Sequence, residues 1–240
     1  MSGDRPKALA FDVFGTVVDW RSSIIRELAE FGAERGVERD WARFADDWRA
    51  GYPAAMDRVR SGELPWSTID VLHRLILDDL LAAADLGDVP DAERDHLNRA
   101  WHRLDPWPDS VPGLTLLKTS FVITTLSNGN VSLLTNMAKR ARLPWDCVIS
   151  AELFRHYKPD PEAYLGCAAL LDVAPSELML VAAHPSDLRA ARDAGLRTGY
   201  VARPLERGPG TRPPRVADGE FDVVAQDFVD LARRLGVATP

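Results

Sequence analysis

Residues 8–16 read Ala-Leu-Ala-Phe-Asp-Val-Phe-Gly-Thr, and the predicted fold is built outward from this stretch. Four apolar residues lead directly to Asp12, and the pair Gly15-Thr16 that follows breaks the pattern in a turn. A short, continuously apolar run is typical of a parallel strand that helices cover on both faces. We therefore predict a buried first strand with Asp12 at its carboxyl end.

Similar apolar runs recur along the chain and are predicted to be strands: Phe121–Leu126, Leu178–Ala183, Thr198–Ala202 and, more weakly, Cys147–Ser150. Helical spacing of apolar residues occurs between and after them, at Val131–Arg142, Pro161–Leu171, Leu188–Ala194 and Asp227–Leu235. Strand and helix therefore alternate from residue 121 onward. This pattern predicts an α/β fold, a doubly wound, Rossmann-like parallel sheet.

The segment between the first and second predicted strands is unusually long. It has helical spacing and no strand-like run, so an ordinary crossover between parallel strands does not account for it. We predict a helical cap subdomain, residues 20–108, inserted into a core formed by residues 1–19 and 109–240. Arg203–Arg215 is rich in Pro, Gly and Arg and is predicted to be an exposed loop.

Composition excludes several classes of protein. The 240 residues carry a net charge of −7, which argues against a general nucleic-acid binder. No apolar run is long enough to span a bilayer, and residues 1–7 lack the apolar core of a signal peptide. The two cysteines, Cys147 and Cys167, fit a reducing compartment and cannot form a zinc site alone. We expect a soluble cytoplasmic protein with no membrane partner.

Polar clusters follow four of the predicted strands: Asp12, Ser127-Asn128-Gly129, Lys158-Pro159-Asp160 and His184-Pro185-Ser186-Asp187. In open α/β sheets, ligands bind beyond the carboxyl ends of the strands. The four clusters therefore converge and predict an active site.

Each residue of these clusters has both a chemical and a structural interpretation. Asp12 is placed to act as a nucleophile that forms an ester, or to cap a turn. Lys158 either keeps that carboxylate ionised or is a solvated loop charge. Ser127 and Asn128 either bind an anion or belong to a turn before a helix. Asp187 either activates water or binds a metal, or it is a helix N-cap.

In their order, these clusters resemble the four motifs of the haloacid dehalogenase superfamily: Asp12-Val13-Phe14-Gly15-Thr16, Leu126-Ser127-Asn128-Gly129, Lys158-Pro159-Asp160 with Tyr164, and Asp187. The resemblance covers nearly the whole chain, including the cap. It implies a hydrolase with Asp12 as the nucleophile and Thr16 among the catalytic residues.

Position 14 indicates the branch of the superfamily. Phosphatases of the superfamily carry a second aspartate there, which acts as a general acid and helps to bind Mg²⁺, whereas this chain has Phe14. A halide leaves without a proton, so the missing acid harms phosphate-ester hydrolysis but not dehalogenation. The motif resembles the L-2-haloacid dehalogenase (type II) branch, which implies no metal and no other cofactor. The alternative is that Phe14 only packs in the core of a degraded phosphatase.

Other residues resemble the same branch. The resemblance implies that Ser127 and Asn128 bind the substrate carboxylate. Lys158 and Tyr164 have the branch's six-residue spacing. A helix between these two would bring the phenol of Tyr164 towards the nucleophile, and otherwise Tyr164 packs in the core.

The cap carries a Trp48-Arg49 pair that resembles the branch's pair, whose arginine faces the departing halide. A guanidinium there stabilises charge that grows only as the carbon–halogen bond breaks. Trp48 and Tyr52 are expected to contribute aromatic surface beside the halide. Arg49 could instead be an ordinary surface arginine, and neighbouring Arg43 is an alternative for the role.

One motif departs from the branch. Type II enzymes often read Ser-Ser-Asn before the turn of the last aspartate, and this chain reads Ala182-Ala183-His184. His184 could position water, act as a base near neutral pH, or be structural.

The sequence thus predicts hydrolytic, metal-independent dehalogenation of short-chain (S)-2-haloacids to 2-hydroxyacids through an aspartyl ester. The expected partner is a small halogenated carboxylic acid, and the resemblance implies a homodimer. The alternatives are a Mg²⁺-dependent phosphatase of the same superfamily and a non-catalytic homologue that binds small acids.

Overall fold

The computed structural model describes residues 5–212 and 214–238 and, within them, one sheet of six parallel strands. The strands along the chain are β1 (Ala8–Phe11), β2 (Val18–Asp19), β3 (Asp105–Pro106), β4 (Val122–Ser127), β5 (Cys147–Ser150), β6 (Leu178–Ala182), β7 (Arg197–Val201) and β8 (Val223–Ala225). The order in the sheet is β5-β4-β1-β6-β7-β8, while β2 and β3 form a separate antiparallel pair. β1 is central, and the chain winds to both sides of it.

The helices between β2 and β3 are α1 (Trp20–Arg35), α2 (Trp41–Arg60), α3 (Ile69–Ala83) and α4 (Asp91–Asn98). The later helices are α5 (Ser110–Lys118), α6 (Val131–Ala141), α7 (Pro161–Leu170), α8 (Pro185–Asp193) and α9 (Phe228–Arg234). Aspartates begin the first two helices: Asp19 accepts a hydrogen bond from the backbone of Ser22 at 3.0 Å, and Asp40 accepts one from Arg43 at 2.9 Å.

Side chains of the central strand alternate between two apolar cores. Leu9 and Phe11 pack in the larger core with residues of α5, α6 and α9, whereas Ala8 and Ala10 face the smaller core beneath α7 and α8. All four residues are buried, which explains why the strand is apolar throughout rather than alternating. The predicted doubly wound parallel sheet is confirmed.

The structure differs from the sequence prediction in three details. β8 was not predicted, because it has only three residues at the sheet edge and is too short to give an apolar pattern. Asp105–Pro106 forms a two-residue strand within the segment predicted to be free of strands, because it pairs with Val18–Asp19 from far away in sequence. Arg203–Arg215 is not exposed throughout, since Arg203 and Glu206 are buried.

The helices α1 to α4 lie within the segment predicted to be the cap. The division into a core of 1–19 and 109–240 and a cap of 20–108 remains our proposal, and we use both names below. Residues 1–4, part of the segment predicted to lack a signal peptide, lie outside the described residues. Within the described residues, no helix combines the length and apolarity needed to cross a membrane.

Candidate active site

A cavity of about 370 Å³ opens where the carboxyl ends of the central strands face α2 of the cap. Asp12 enters it directly after β1, because its backbone N–H still donates to Val181 of β6 at 3.0 Å. The chain then turns at Gly15, whose φ of +83° favours glycine. The sheet thus fixes the backbone of Asp12, and the turn leaves its carboxylate facing the cavity.

Three side chains donate to the Asp12 carboxylate. Lys158 Nζ lies 3.0 Å from Oδ1, Thr16 Oγ1 lies 2.7 Å from Oδ2, and His184 Nδ1 lies 2.9 Å from Oδ2. Burial alone would raise the pKa of Asp12, but the charge of Lys158 and the hydrogen bond from His184 outweigh it and hold the pKa well below its usual range. Asp12 is therefore an ionised, fixed carboxylate. The prediction that Lys158 approaches Asp12 is confirmed.

Lys158 also contacts Asp187, so its ammonium group lies between two carboxylates. Burial opposes its charge, but Asp12 and Asp187 more than offset this and raise the pKa of Lys158. Asp187 lies in the first turn of α8, whose N-cap is His184, so the N-cap interpretation of Asp187 is wrong.

Tyr164 reaches this cluster from α7 and donates from its hydroxyl to Asp187 Oδ1 at 2.6 Å. Its side chain is completely buried and lies behind Asp187 rather than on the cavity wall. Burial, followed by the Asp187 charge, raises the pKa of Tyr164, so the phenol stays protonated. The predicted approach of Tyr164 to the cluster of Asp12, Lys158 and Asp187 is present, whereas direct contact with the cavity is not.

Ser127 and Asn128 both line the cavity at the end of β4. The side-chain amide of Asn128 makes two hydrogen bonds to the backbone of Lys158. Asn128 Oδ1 accepts from the Lys158 N–H at 2.7 Å, and Asn128 Nδ2 donates to the Lys158 carbonyl at 3.2 Å. Ser127 Oγ accepts from the backbone of Gly129 at 3.2 Å, which leaves its own proton available. Asn128 thus positions Lys158, and Ser127 keeps a donor for a ligand.

His184 links Asp12 to a residue that the sequence interpretation missed. Its Nε2 lies 3.0 Å from Oε1 of Glu206, which is buried and also accepts from Trp20 Nε1 at 3.3 Å. Burial would lower the pKa of His184, but hydrogen bonds to the two carboxylates raise it to about 10. With both ring nitrogens donating, the ring is an imidazolium between Asp12 and Glu206.

The loop after β7 is held in place by Arg203. Its guanidinium makes two hydrogen bonds to Asp109, at 2.6 and 2.8 Å, and its Nε donates to the carbonyl of Thr16 at 2.8 Å. The loop carries Glu206 and Arg207 to the cavity, which Arg207 lines. Both residues lie beyond the carboxyl end of a strand, a position that could have marked them as candidates in the sequence. They were missed because the loop is rich in Pro and Gly and was predicted to be exposed.

The cap wall of the cavity, formed by Arg49, Tyr52, Pro53 and Met56, is largely apolar. The Arg49 guanidinium lies 4.4 Å from the ring centre of Tyr52 and 5.9 Å from that of Trp20. Across residues 5–212 and 214–238, no carboxylate lies within 4.0 Å of its nitrogens. Arg49 is therefore a cation at the cavity whose charge is not paired.

Arg43, the alternative to Arg49, does not reach the cavity. Its side chain is 79% exposed and pairs with Asp47 at 3.6 Å on the outer surface of α2. The two arginines are six residues apart and therefore project from different faces of the helix.

Trp48 does not line the cavity, contrary to the prediction that it contributes surface beside the halide. It is completely buried, and its Nε1 donates to the carbonyl of His73 at 2.9 Å. The His73 ring stacks on Trp101 at 4.2 Å, and burial lowers its pKa to about 3, so it is neutral. Trp48 and His73 form a supporting layer behind Tyr52.

Phe14 both packs in the core and lines the cavity. Its ring contacts Trp101 edge-to-face at 5.9 Å, and Arg49 lies 6.0 Å above it. The surface beside Asp12 is therefore apolar at position 14, where phosphatases of the haloacid dehalogenase superfamily carry an aspartate. The interpretation that Phe14 only packs in the core is therefore incomplete, because the residue also lines the cavity.

Comparison with known proteins agrees with this geometry. The family model for haloacid dehalogenase-like hydrolases matches residues 6–195. The chain belongs to this family. The crystal structure of the defluorinating L-2-haloacid dehalogenase Rha0230 is 46% identical, with a TM-score of 0.92 over 96% of this chain and 95% of that one. That of the L-2-haloacid dehalogenase PA0810 is 45% identical, with the same TM-score over 97% and 100%.

Among curated proteins, (S)-2-haloacid dehalogenase 4A of Burkholderia cepacia is 27% identical over 218 residues, which cover 83% of this chain and 84% of that protein. The resemblance to the L-2-haloacid dehalogenase branch, read from the motifs, is confirmed. This haloacid dehalogenase-like hydrolase shows no group of three or more His, Cys, Asp or Glu able to hold a metal ion within its described residues.

Partly buried polar contacts join the cap to the core of this hydrolase. Asp70 of α3 accepts from Asn130 Nδ2 at 2.9 Å and lies 3.0 Å from His102 Nε2, while its backbone N–H donates to Asn130 Oδ1 at 3.2 Å. Arg60 of α2 donates to the carbonyl of Lys158 at 3.0 Å. The sequence interpretation missed these contacts, which position the cap over Asp12.

Proposed function

We propose that this hydrolase converts short-chain (S)-2-haloacids to 2-hydroxyacids through an ester on Asp12, without a metal or other cofactor. The observation that carries the proposal is that two oppositely charged groups line the same cavity. One is the ionised Asp12, whose carboxylate accepts three hydrogen bonds, and the other is the guanidinium of Arg49, which has no carboxylate partner among the described residues. The relatives of about 45% identity, described as L-2-haloacid dehalogenases, support the same substrate class.

In the first step, an oxygen of Asp12 attacks carbon 2 of the acid from the face opposite the halogen. A carbon–oxygen bond forms, the carbon–halogen bond breaks, and the halide leaves with the bonding electrons, inverting the carbon. Ser127 and neighbouring backbone N–H groups bind the substrate carboxylate, while Asn128 acts by holding Lys158. Arg49 and the Tyr52 ring receive the halide, and this stabilisation grows with the charge on the leaving group.

In the second step, water attacks the side-chain carbonyl carbon of Asp12. The bond from that carbon to the ester oxygen breaks, and this oxygen, which came from Asp12, leaves as the hydroxyl oxygen of the 2-hydroxyacid, while the oxygen from water restores the carboxylate. His184 and Asp187 assist this attack, and Tyr164 fixes Asp187 through its hydroxyl. Thr16 and Lys158 hold the carboxyl group throughout.

The inferred setting is a homodimer in the cytoplasm. The dimer rests on resemblance to the branch. The cytoplasmic setting is supported by Cys147 and Cys167, which are both free thiols.

The test is halide release from (S)-2-chloropropionate by wild type and the Asp12→Asn variant, each with and without EDTA. We expect chelator-resistant release in wild type and a loss of at least about 10⁴-fold in the variant, because no nucleophile is left. Turnover of a phosphate ester that requires Mg²⁺ would establish the phosphatase instead, and acid binding without turnover would establish the binding homologue.

A single-turnover reaction in ¹⁸O water tests the ester itself. Hydrolysis at the Asp12 carbonyl carbon places the label in the peptide that contains Asp12. Direct attack of water on the substrate would place it in the 2-hydroxyacid and leave the peptide unlabelled.

A further inference from the structure

Glu206 occupies a place that the reaction above leaves unexplained. It is a buried carboxylate, 7% exposed, and it contacts Nε2 of His184, the ring nitrogen that does not contact Asp12. The chain makes room for it at Gly15, where any side chain would collide with the Glu206 carboxylate. The Arg203–Asp109 pair fixes its loop. A buried carboxylate costs free energy unless it is paired, so its partner, the His184 ring, defines its role.

The ring of His184 has a different charge environment in each half of the reaction. In the free enzyme, it lies between two carboxylates, Asp12 at 2.9 Å and Glu206 at 3.0 Å. Once Asp12 becomes an ester, its negative charge has left with the halide and Oδ2 is part of a neutral group. The ring then keeps one carboxylate partner, Glu206, instead of two.

We propose that formation of the Asp12 ester converts His184 from a structural cation into the base that activates water, and that Glu206 is the positioning residue that keeps the ring ready for this role. The inference rests on the proposed function. It assigns the second step to a pair of residues, one of which lies outside the motifs of the resemblance.

After the halide departs, Nδ1 of the imidazolium releases its proton to solvent through the open cavity. Nε2 keeps its proton, because it donates to Glu206, so the lone pair is on Nδ1 and faces Asp12. Water then adds to the Asp12 carbonyl carbon and gives a proton to Nδ1. That proton protonates the departing alkoxide of the 2-hydroxyacid, and the proton left on the Asp12 carboxyl returns to the ring.

Other charged groups also lie near the ring of His184. Lys158, from the loop after β5, pairs with Asp12 and with Asp187, a carboxylate in the first turn of the helix that follows His184. Burial would raise the pKa of Glu206, but the hydrogen bond and charge of His184, followed by the charge of Arg207 next to it in the chain, lower it. The two carboxylates raise the pKa of His184 to about 10 in the free enzyme, and the ester removes one of them.

The first measurement follows the His184 ring by NMR in ¹⁵N-histidine-labelled protein. Asp12→Asn replaces the carboxylate by a neutral amide and so imitates the ester. We expect its His184 to titrate at least about two pH units below the wild-type ring, and the ring of Glu206→Gln to shift in the same direction. An unchanged titration in Asp12→Asn would overturn the charge switch.

The second measurement separates the two chemical steps with (S)-2-chloropropionate. We expect Glu206→Gln to release the first equivalent of chloride at close to the wild-type rate and then turn over about 10- to 100-fold more slowly. The Asp12 ester would accumulate and be visible by intact-protein mass. Glu206→Asp, which restores the charge, should recover part of the rate, and Glu63→Gln, an exposed carboxylate on the cap, should behave as wild type.

These outcomes separate this inference from the proposed function. A wild-type enzyme that releases no chloride contradicts both. Chloride release with no ester accumulation in Glu206→Gln overturns the role of Glu206 and leaves the dehalogenase proposal standing. Equal slowing of the chloride burst and of turnover would make Glu206 merely structural and would also overturn the inference.

Discussion

The core wall of the cavity, which carries Asp12, Lys158 and His184, and the cap wall surround their charged groups in opposite ways. On the core wall, Asp12 is saturated with donors from Lys158, Thr16 and His184. On the cap wall, Arg49 lies among aromatic rings, with Tyr52 at 4.4 Å. In the proposed reaction, the core wall stabilises a charge that exists before the reaction, whereas the cap wall supplies a cation for a charge that appears during it. Catalysis of halide departure needs both arrangements.

The largest effect is expected from removing the central cation of the core wall. Lys158→Met leaves the buried carboxylate of Asp12 and the partly buried carboxylate of Asp187 without their shared partner. We expect a loss of about 3–5 kcal/mol in unfolding free energy, measured by urea denaturation, and a marked fall in halide release. Lys118→Met, which removes a half-exposed lysine paired with Asp146, should cost less than about 1 kcal/mol. Equal costs for the two variants would contradict the central role of Lys158.

The cap wall is tested by Arg49→Met, with Arg43→Met as the matched control on the same helix. Loss of the guanidinium should lower kcat for (S)-2-chloropropionate by about 10²–10³-fold, the usual effect of one lost transition-state donor. Stability should change little, because Arg49 has no carboxylate partner among the described residues. Arg43→Met should retain wild-type activity, and a similar loss in both variants would remove Arg49 from the halide site.

The pH dependence of stability tests the paired charges of the core wall. Because the pKa of His184 is raised to about 10 from a usual value near 6.5, its ion pairing stabilises the fold fully below pH 6.5. That contribution disappears as pH rises through 10. His184→Gln should therefore be about 2 kcal/mol less stable than wild type at pH 6, with the gap narrowing towards pH 10.

The control for this series is His156→Gln, which replaces a half-exposed histidine and should change the unfolding free energy little. A gap for His184→Gln that stays constant between pH 6 and 10 would show that the ring is not charged in the folded protein.

The smallest effect is expected in the layer behind the cap wall. Trp48→Phe removes the hydrogen bond to the His73 carbonyl and should cost about 1–2 kcal/mol of unfolding free energy, measured by urea denaturation. Halide release should fall by less than about tenfold, because Trp48 does not line the cavity. A loss as large as that of Arg49→Met would return Trp48 to the substrate-binding residues.

Apolar patterning predicted the central strands well because each is buried on both faces, as all four residues of β1 are. It missed β8 and the β2–β3 pair, which are short and depend on partners from other parts of the chain. Asp12, Lys158 and His184 could be predicted because each follows a strand or belongs to a motif. Glu206 also lies beyond the end of a strand, β7, but its role could not be predicted, because its loop has no pattern that separates a buried carboxylate from a solvated one.

The sequence by itself determined the doubly wound sheet, the order of the polar clusters along it and the apolar residue beside Asp12. These follow from local patterns, since strand ends and turns are encoded by neighbouring residues. Only the tertiary structure decided that Trp48 supports the cavity from behind, that Asn128 holds Lys158, and that Glu206 completes the environment of His184. These roles depend on side chains meeting across distant segments, where distance and burial rather than residue type determine what each group contacts.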